Sequence, residues 1–167
     1  AQRYNADGSK NGSEFQVNTY TSSDQYNPSV TSLTGGGFLI SWSSYNQDGS
    51  SSGIYAQRYN ADGSKNGSEF QVNTYTSNSQ YQPSVTSLTG GGFLISWQSY
   101  NQDGSDWGIY AQRYNADGSK NGAEFLVNTY TSSNQSQPSV ASLTGGGFLI
   151  SWHSWDQDGS GNGIYAQ

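Results

Sequence analysis

Ala56-Gln57-Arg58-Tyr59-Asn60-Ala61-Asp62-Gly63-Ser64-Lys65-Asn66-Gly67 stands in the middle of the chain, and the same twelve residues begin at Ala1 and again at Ala111. A self-similar period decides the class of fold before any single element is read. The unit is 55 residues long and divides the 167 residues into repeats 1–55, 56–110 and 111–167, the last ending in Ala166 and Gln167, which open a fourth unit. The chain has no Met, as expected of a processed product, an excised segment or a window of a longer array.

Within the unit, Glu14 to Thr21 alternates apolar and polar residues and reads as a strand. Ser22 to Pro28 is polar, ends in proline and reads as a loop. Ser29 to Leu33 is rich in β-formers. Thr34-Gly35-Gly36-Gly37 is a tight reversal, and Phe38-Leu39-Ile40-Ser41-Trp42 is an apolar run expected to be covered on both faces. Tyr45 to Gly53 is a loop around Asn-Gln-Asp-Gly, and Ile54 to Tyr59 is a further strand. Asn60-Ala61-Asp62-Gly63 then turns the chain back toward Glu69. No window has helical periodicity. The expected class is all-β with antiparallel four-stranded repeats, read as β-propeller blades, with a β-trefoil or β-prism as alternatives.

Composition narrows the function classes. The net charge is −6, and all six basic residues fall at two unit positions, Arg3, Arg58, Arg113 and Lys10, Lys65, Lys120. That argues against binding nucleic acid or anionic lipid. There is no Cys, and no apolar run is long enough to span a membrane, so membrane insertion is not expected. Aromatic residues make up 14% of the chain, with 13 Tyr and 5 Trp. A disordered chain is poor in rings, so these are expected to build the core. The Ser-, Thr-, Asn- and Gln-rich surface suggests an extracellular or cell-surface location.

The succession GGF-x-x-x-W, QDGS-x-x-GIYAQRYNADG and EF-x-VNT resembles the tandem repeats of large secreted bacterial surface proteins of the RTX and adhesin kind. It also resembles the blade order of NHL-type propellers. The resemblance covers the whole chain and implies tandem blades; it implies no single activity. Three blades do not close a ring by themselves, so self-association is expected, either two chains completing six blades or a longer array.

The copies differ at only twelve unit positions, concentrated in the two loops that one rim of a blade would carry. That rim holds the candidate ligand residues Tyr26, Tyr45, Asp48, Tyr81, Tyr100, Asp103, Trp107, His153, Trp155 and Asp158. Rings beside amides and carboxylates suit a sugar, whose C–H face packs on a ring while its hydroxyls find polar partners. Loop drift with local packing of the rings produces the same pattern. No cofactor is required by these residues. Calcium is an option in the third copy alone, through Asp156, Asp158 and Asn162.

A catalytic site is not expected. Asp7, Glu14 and their counterparts repeat threefold in identical settings, whereas an acid and base pair needs two different ones. No Ser is marked out beside His153, the single histidine. Arg3, Arg58 and Arg113 are expected to pair across strands with Glu14, Glu69 and Glu124. The expected function is a non-catalytic binding or adhesion module with glycans as ligands, the alternative being a purely structural repeat or an engineered symmetric scaffold.

Overall fold

The computed structural model describes residues 1–167 and is all-β, as expected. A short hairpin of β1 (Arg3–Tyr4) and β2 (Lys10–Asn11) precedes three blades. The first blade contains β3 (Gln25–Ser32), β4 (Phe38–Tyr45), β5 (Ser52–Tyr59) and β6 (Phe70–Gln71), hydrogen-bonded in that order. The second repeats it with β7 (Gln80–Leu88), β8 (Gly92–Tyr100), β9 (Trp107–Tyr114) and β10 (Phe125–Leu126). The third has three strands, β11 (Gln135–Ser142), β12 (Phe148–Trp155) and β13 (Asn162–Ala166). Every pairing is antiparallel. Each complete blade takes its outer strand from the next repeat unit.

The hairpins follow from local chemistry. At Leu33–Gly37 the Leu33 N–H donates to Gly37 O at 2.7 Å, and the reversal needs φ of 98° and 94° at Gly35 and Gly36, which only glycine adopts freely. At Asn60–Ser64 the Asp62 carboxylate accepts the Ser64 N–H at 2.8 Å and its hydroxyl at 2.6 Å. Asp7 and Asp117 repeat this with Ser9 and Ser119, and these hydrogen bonds hold all three carboxyls below the usual aspartate value.

Two expectations about elements are corrected. The Glu14–Thr21 strand shrinks to two residues in the blades that contain it, Phe70–Gln71 and Phe125–Leu126. The expected Ser22–Pro28 loop is instead the start of the innermost strand, which begins at Gln25. Proline is accommodated there because the register shifts between Tyr26 and Ser29 and Asn27 takes φ of 52°, a bulge that frees the position from the ladder.

Blades stack face to face. Leu39, Ile54, Ala56 and Val72 of the first blade pack on Val85, Phe93, Ile95, Trp97, Tyr110 and Tyr114 of the second. Leu94, Ile109, Ala111 and Val127 of the second meet Ile150 and Trp152 of the third in the same way. The alternation within Phe38-Leu39-Ile40-Ser41-Trp42 sends Leu39 to one face and Ile40 and Trp42 to the other, so the central strand is covered on both sides.

The buried tyrosines make the stack sensitive to alkali. Burial first, and then the negative charges of nearby Asp48 and Glu69, or Asp103 and Glu124, raise Tyr55 and Tyr110 to about 12. Burial also pushes Tyr114 up. The unfolded chain therefore ionises first, near the ordinary value of 10.0. Stability is fully present below that pH and lost as pH climbs from it toward 12. Melting temperatures followed by circular dichroism should be level from about pH 8 to about pH 9.5 and fall steeply above about pH 10. A level profile through about pH 11 contradicts this burial.

Candidate functional site

The rim where the copies differ carries one continuous line of rings. The register shift after Tyr26 turns the start of β3 toward the next blade. There Tyr26 stacks on Tyr81 at a centroid distance of 5.5 Å and an interplanar angle of 21°. Tyr81 meets Trp107 at 5.7 Å, and Trp107 meets its cross-strand neighbour Tyr100 at 5.2 Å. The Tyr26 hydroxyl donates to the Tyr81 hydroxyl at 3.0 Å and lies 2.6 Å from Ser52 Oγ. Burial raises Tyr26 to about 12. Burial also acts to raise Tyr81, but hydrogen bonds with Ser52, Tyr26 and Ser79 outweigh it and leave that hydroxyl below the usual tyrosine value. The line stops at the third blade because Ser136 replaces the tyrosine.

The structure thus brings Tyr26, Tyr81, Tyr100 and Trp107 together. Tyr45 and Trp155 are exposed, at 46% and 48%, and stand outside that line. Asp48, Asp103 and Asp158 face their own turns, accepting the N–H of Ser50, Ser105 and Ser160. Asp48 also accepts Gln71 Nε2 at 3.0 Å. Leu126 takes the place of that glutamine in the second blade, and Asp103 Oδ2 is left buried without a partner.

His153 holds the position of Ser43 and Gln98 in β12, paired across the sheet with Ser136 and Ile164. Those two counterparts accept backbone N–H groups of the following blade, from Gln82 at 3.2 Å and Gln137 at 2.9 Å. The place of His153 is therefore one that joins blades.

Asp156, Asp158 and Asn162 lie in and beside the turn between β12 and β13. No group of three or more His, Asp or Glu comes together anywhere in the chain. Asp156 sits at φ of 59° and closes a turn through Asp156 N–H to Gly161 O at 2.6 Å.

The expected Arg–Glu pairs are also corrected. Arg3 Nη1 donates to Ala61 O at 3.1 Å, and Arg58 reaches Asp117 O, so both arginines tie the turn of the neighbouring unit. Glu69 instead accepts Thr19 N–H at 2.7 Å, Thr19 Oγ1 at 3.0 Å and Gln47 Nε2 at 2.7 Å. Glu124 does the same with Thr74 and Gln102.

The acids divide into those that the repeat duplicates and those that it does not. Of the twelve acids, nine recur in every unit, and three do not: Asp24, Asp106 and Asp156. Asp24 replaces Ser79 and Asn134, and Asp106 replaces Ser51 and Gly161. All three are exposed on the variable rim. Asp24 lies two residues before Tyr26, and Asp106 immediately before Trp107. Their backbones are fixed by Tyr45 N–H to Asp24 O at 2.9 Å and Asn101 N–H to Asp106 O at 2.6 Å, while neither carboxylate accepts a hydrogen bond from the chain.

The chain matches no protein-family model and no curated protein. Among solved structures it is similar to the endo-arabinase of Bacteroides thetaiotaomicron VPI-5482, with TM-score 0.58 and 16% identity over 98% of this chain and 62% of that one. It is also similar to a thermostable family-43 glycoside hydrolase, with TM-score 0.52 and 13% identity over 85% of this chain and 53% of that one. The chain spans little more than half the length of these enzymes. At such identity the likeness shows the fold, a β-propeller-like all-β architecture whose neighbours are five-bladed. Against the expectation of a non-catalytic module, both proteins that share the architecture are named as enzymes, an endo-arabinase and a glycoside hydrolase. No helix is long and apolar enough to cross a membrane.

Proposed function

We propose that the chain acts on a polysaccharide as a glycoside hydrolase outside the cell, with the ring line as its platform and Asp24 and Asp106 as its working carboxylates. The observation that carries this reading is the pairing of a continuous aromatic line with acids that the repeat does not duplicate. Cleavage of a glycosidic bond needs two carboxyl groups in different roles. One protonates the leaving oxygen, and the other, ionised, works from the opposite face of the sugar ring. The nine repeated acids are poorly suited, being placed in recurrent structural turns and strands. Asp24 and Asp106 each occur once, are exposed, and leave their oxygens free for a substrate. A sugar chain laid along Tyr26, Tyr81 and Trp107 would pack its C–H faces on the rings.

The test is release of reducing ends from a panel of polysaccharides that includes linear arabinan. Asp24→Asn and Asp106→Asn should each lower kcat by about 100-fold or more, the usual worth of a positioned acid or base. Trp107→Ala should raise KM several-fold with a smaller effect on kcat. Absence of cleavage on every polysaccharide, or asparagine variants as active as the parent, refutes the assignment.

A further inference from the structure

The two ends of the blade row carry opposite halves of one interface. Inside the row, Leu39 and Leu94 are 0% exposed, as are Ile54 and Ile109, because the next blade covers them. On the third blade their counterparts Leu149 and Ile164 are 42% and 70% exposed. At the other end Val30 of the first blade is 66% exposed, where Val85, the same residue one unit on, is 8%. Beside Val30 opens a groove of about 830 Å³ floored by Phe38, Ile40 and Trp42 and flanked by Phe15 and Val17. That is the face that receives the leucine side of a preceding blade.

The polar groups are divided in the same way. The third blade lacks an outer strand, so the β13 edge is open. In the complete blades that strand supplies the glutamate that holds a threonine and a glutamine, Thr19 and Gln47 or Thr74 and Gln102. Thr129 and Gln157, at the same places in the third unit, have no such glutamate. Glu14, at the same place in the N-terminal segment, is exposed and accepts no side chain. Asp48 takes Gln71, while Asp158 has no counterpart to it; Gln16 is that residue in the N-terminal segment.

We infer that residues 3–17 of a second copy complete the third blade, and that two chains join head to tail through both such contacts into a ring of six blades. The N-terminal segment already sits where this requires. Phe15 packs on Tyr59 of the first blade at 5.4 Å, as Phe70 of the first blade's outer strand packs on Tyr114 of the second at 5.6 Å. By the repeat, Val30 N–H meets Ser139 Oγ of the second copy, as Val85 meets Ser29 at 3.2 Å and Val140 meets Ser84 at 3.1 Å. Asn27 N–H meets His153, which stands in the acceptor position of Ser43 and Gln98. Ala1-Gln2 and Ala166-Gln167 occupy the same register, and one of the two pairs yields at each junction.

Sedimentation equilibrium at tens of micromolar tests this. The expected mass is twice 18.0 kDa. Ile164→Lys and Glu14→Ala alter residues exposed in the single chain, so circular dichroism should be unchanged while association weakens at least tenfold. Val30→Glu repeats the test from the opposite face if either variant misfolds. Lys65→Ala, exposed and outside residues 3–17 and both end faces, should leave the pair intact. A parent that stays at 18.0 kDa, assemblies that grow past two chains, or face variants that associate like the parent each overturn the proposal.

Discussion

Replacing Trp97 by alanine is expected to cost about 3–5 kcal/mol, the range for removing a fully buried large ring. A domain holds only about 5–15 kcal/mol in total, so this change removes much of its margin. Trp97 is 0% exposed and lies in the ten-residue cluster between the first and second blades, the largest in the molecule. It is fixed on one side by Ile95 and Tyr110 of its own blade and on the other by Leu39 and Ile54 of the preceding one. None of these can move into the vacated space without opening the interface. Trp42 is chemically the same residue and nearly as buried, at 3%, but it belongs to a four-residue cluster and borders the open groove. Its surroundings can collapse toward that space, so Trp42→Ala should cost less. Urea unfolding of the two variants, followed by far-ultraviolet circular dichroism, provides the comparison. With the protein diluted to the single chain, equal losses would mean that the groove is not the relaxed, open face described.

The contrast between those two tryptophans shows what the sequence can and cannot express. The 55-residue period, the glycine hairpins and the two-sided burial of Phe38–Trp42 follow from local rules, and the structure keeps them. The outer strand is shorter than its pattern suggests because alternation marks which side chains could face a core, not how far a partner strand runs beside them. Gln71 has a neighbour in Tyr55, but the chain past Val72 has left the ladder. The proline at Pro28 read as a loop signal because a bulge cannot be inferred from composition. The Arg–Glu pairing failed for a related reason. Arg3 and Glu14 carry complementary charge, yet the arginine reaches a backbone carbonyl of the neighbouring unit, and the glutamate position serves a threonine and a glutamine from other segments.

The site shows the same division. Tyr26, Tyr81, Tyr100 and Trp107 were individually visible as loop aromatics, but their joining depends on the blade-to-blade turn that brings Tyr26 onto Tyr81. Asp48 and Asp103 recur in every unit and accept N–H groups of their own turns. Comparison of the copies, applied to acids as it was to rings, isolates Asp24, Asp106 and Asp156 directly from the sequence.

Gly92→Ala is the second large effect, and its counterpart in the third blade makes it informative. A Cβ on Gly92 would run into the backbone carbonyl oxygen of Tyr114 on the adjacent strand, as one on Gly37 would meet the carbonyl of Tyr59. The obstacle is main chain held in a ladder on both sides, so it cannot rotate away. The strands must part at Phe93↔Tyr114, beside the stacked Phe93 and Tyr114 rings. A loss of about 2–3 kcal/mol is expected, at the upper end of overpacking effects. Gly147 occupies the same place in the third blade, yet a Cβ there meets only Leu143 Cδ1 at 3.8 Å, because β13 ends before it could supply a tyrosine. Gly147→Ala should therefore leave the melting temperature of the single chain nearly unchanged. In a head-to-tail pair, Tyr4 of the second copy takes the position that Tyr114 holds beside Gly92. The same substitution should then weaken association while sparing the fold. If Gly92→Ala proves as mild as Gly147→Ala in the melting temperature, the close approach of β9 to β8 is wrong. If Gly147→Ala leaves association untouched, the composite blade is wrong at that point.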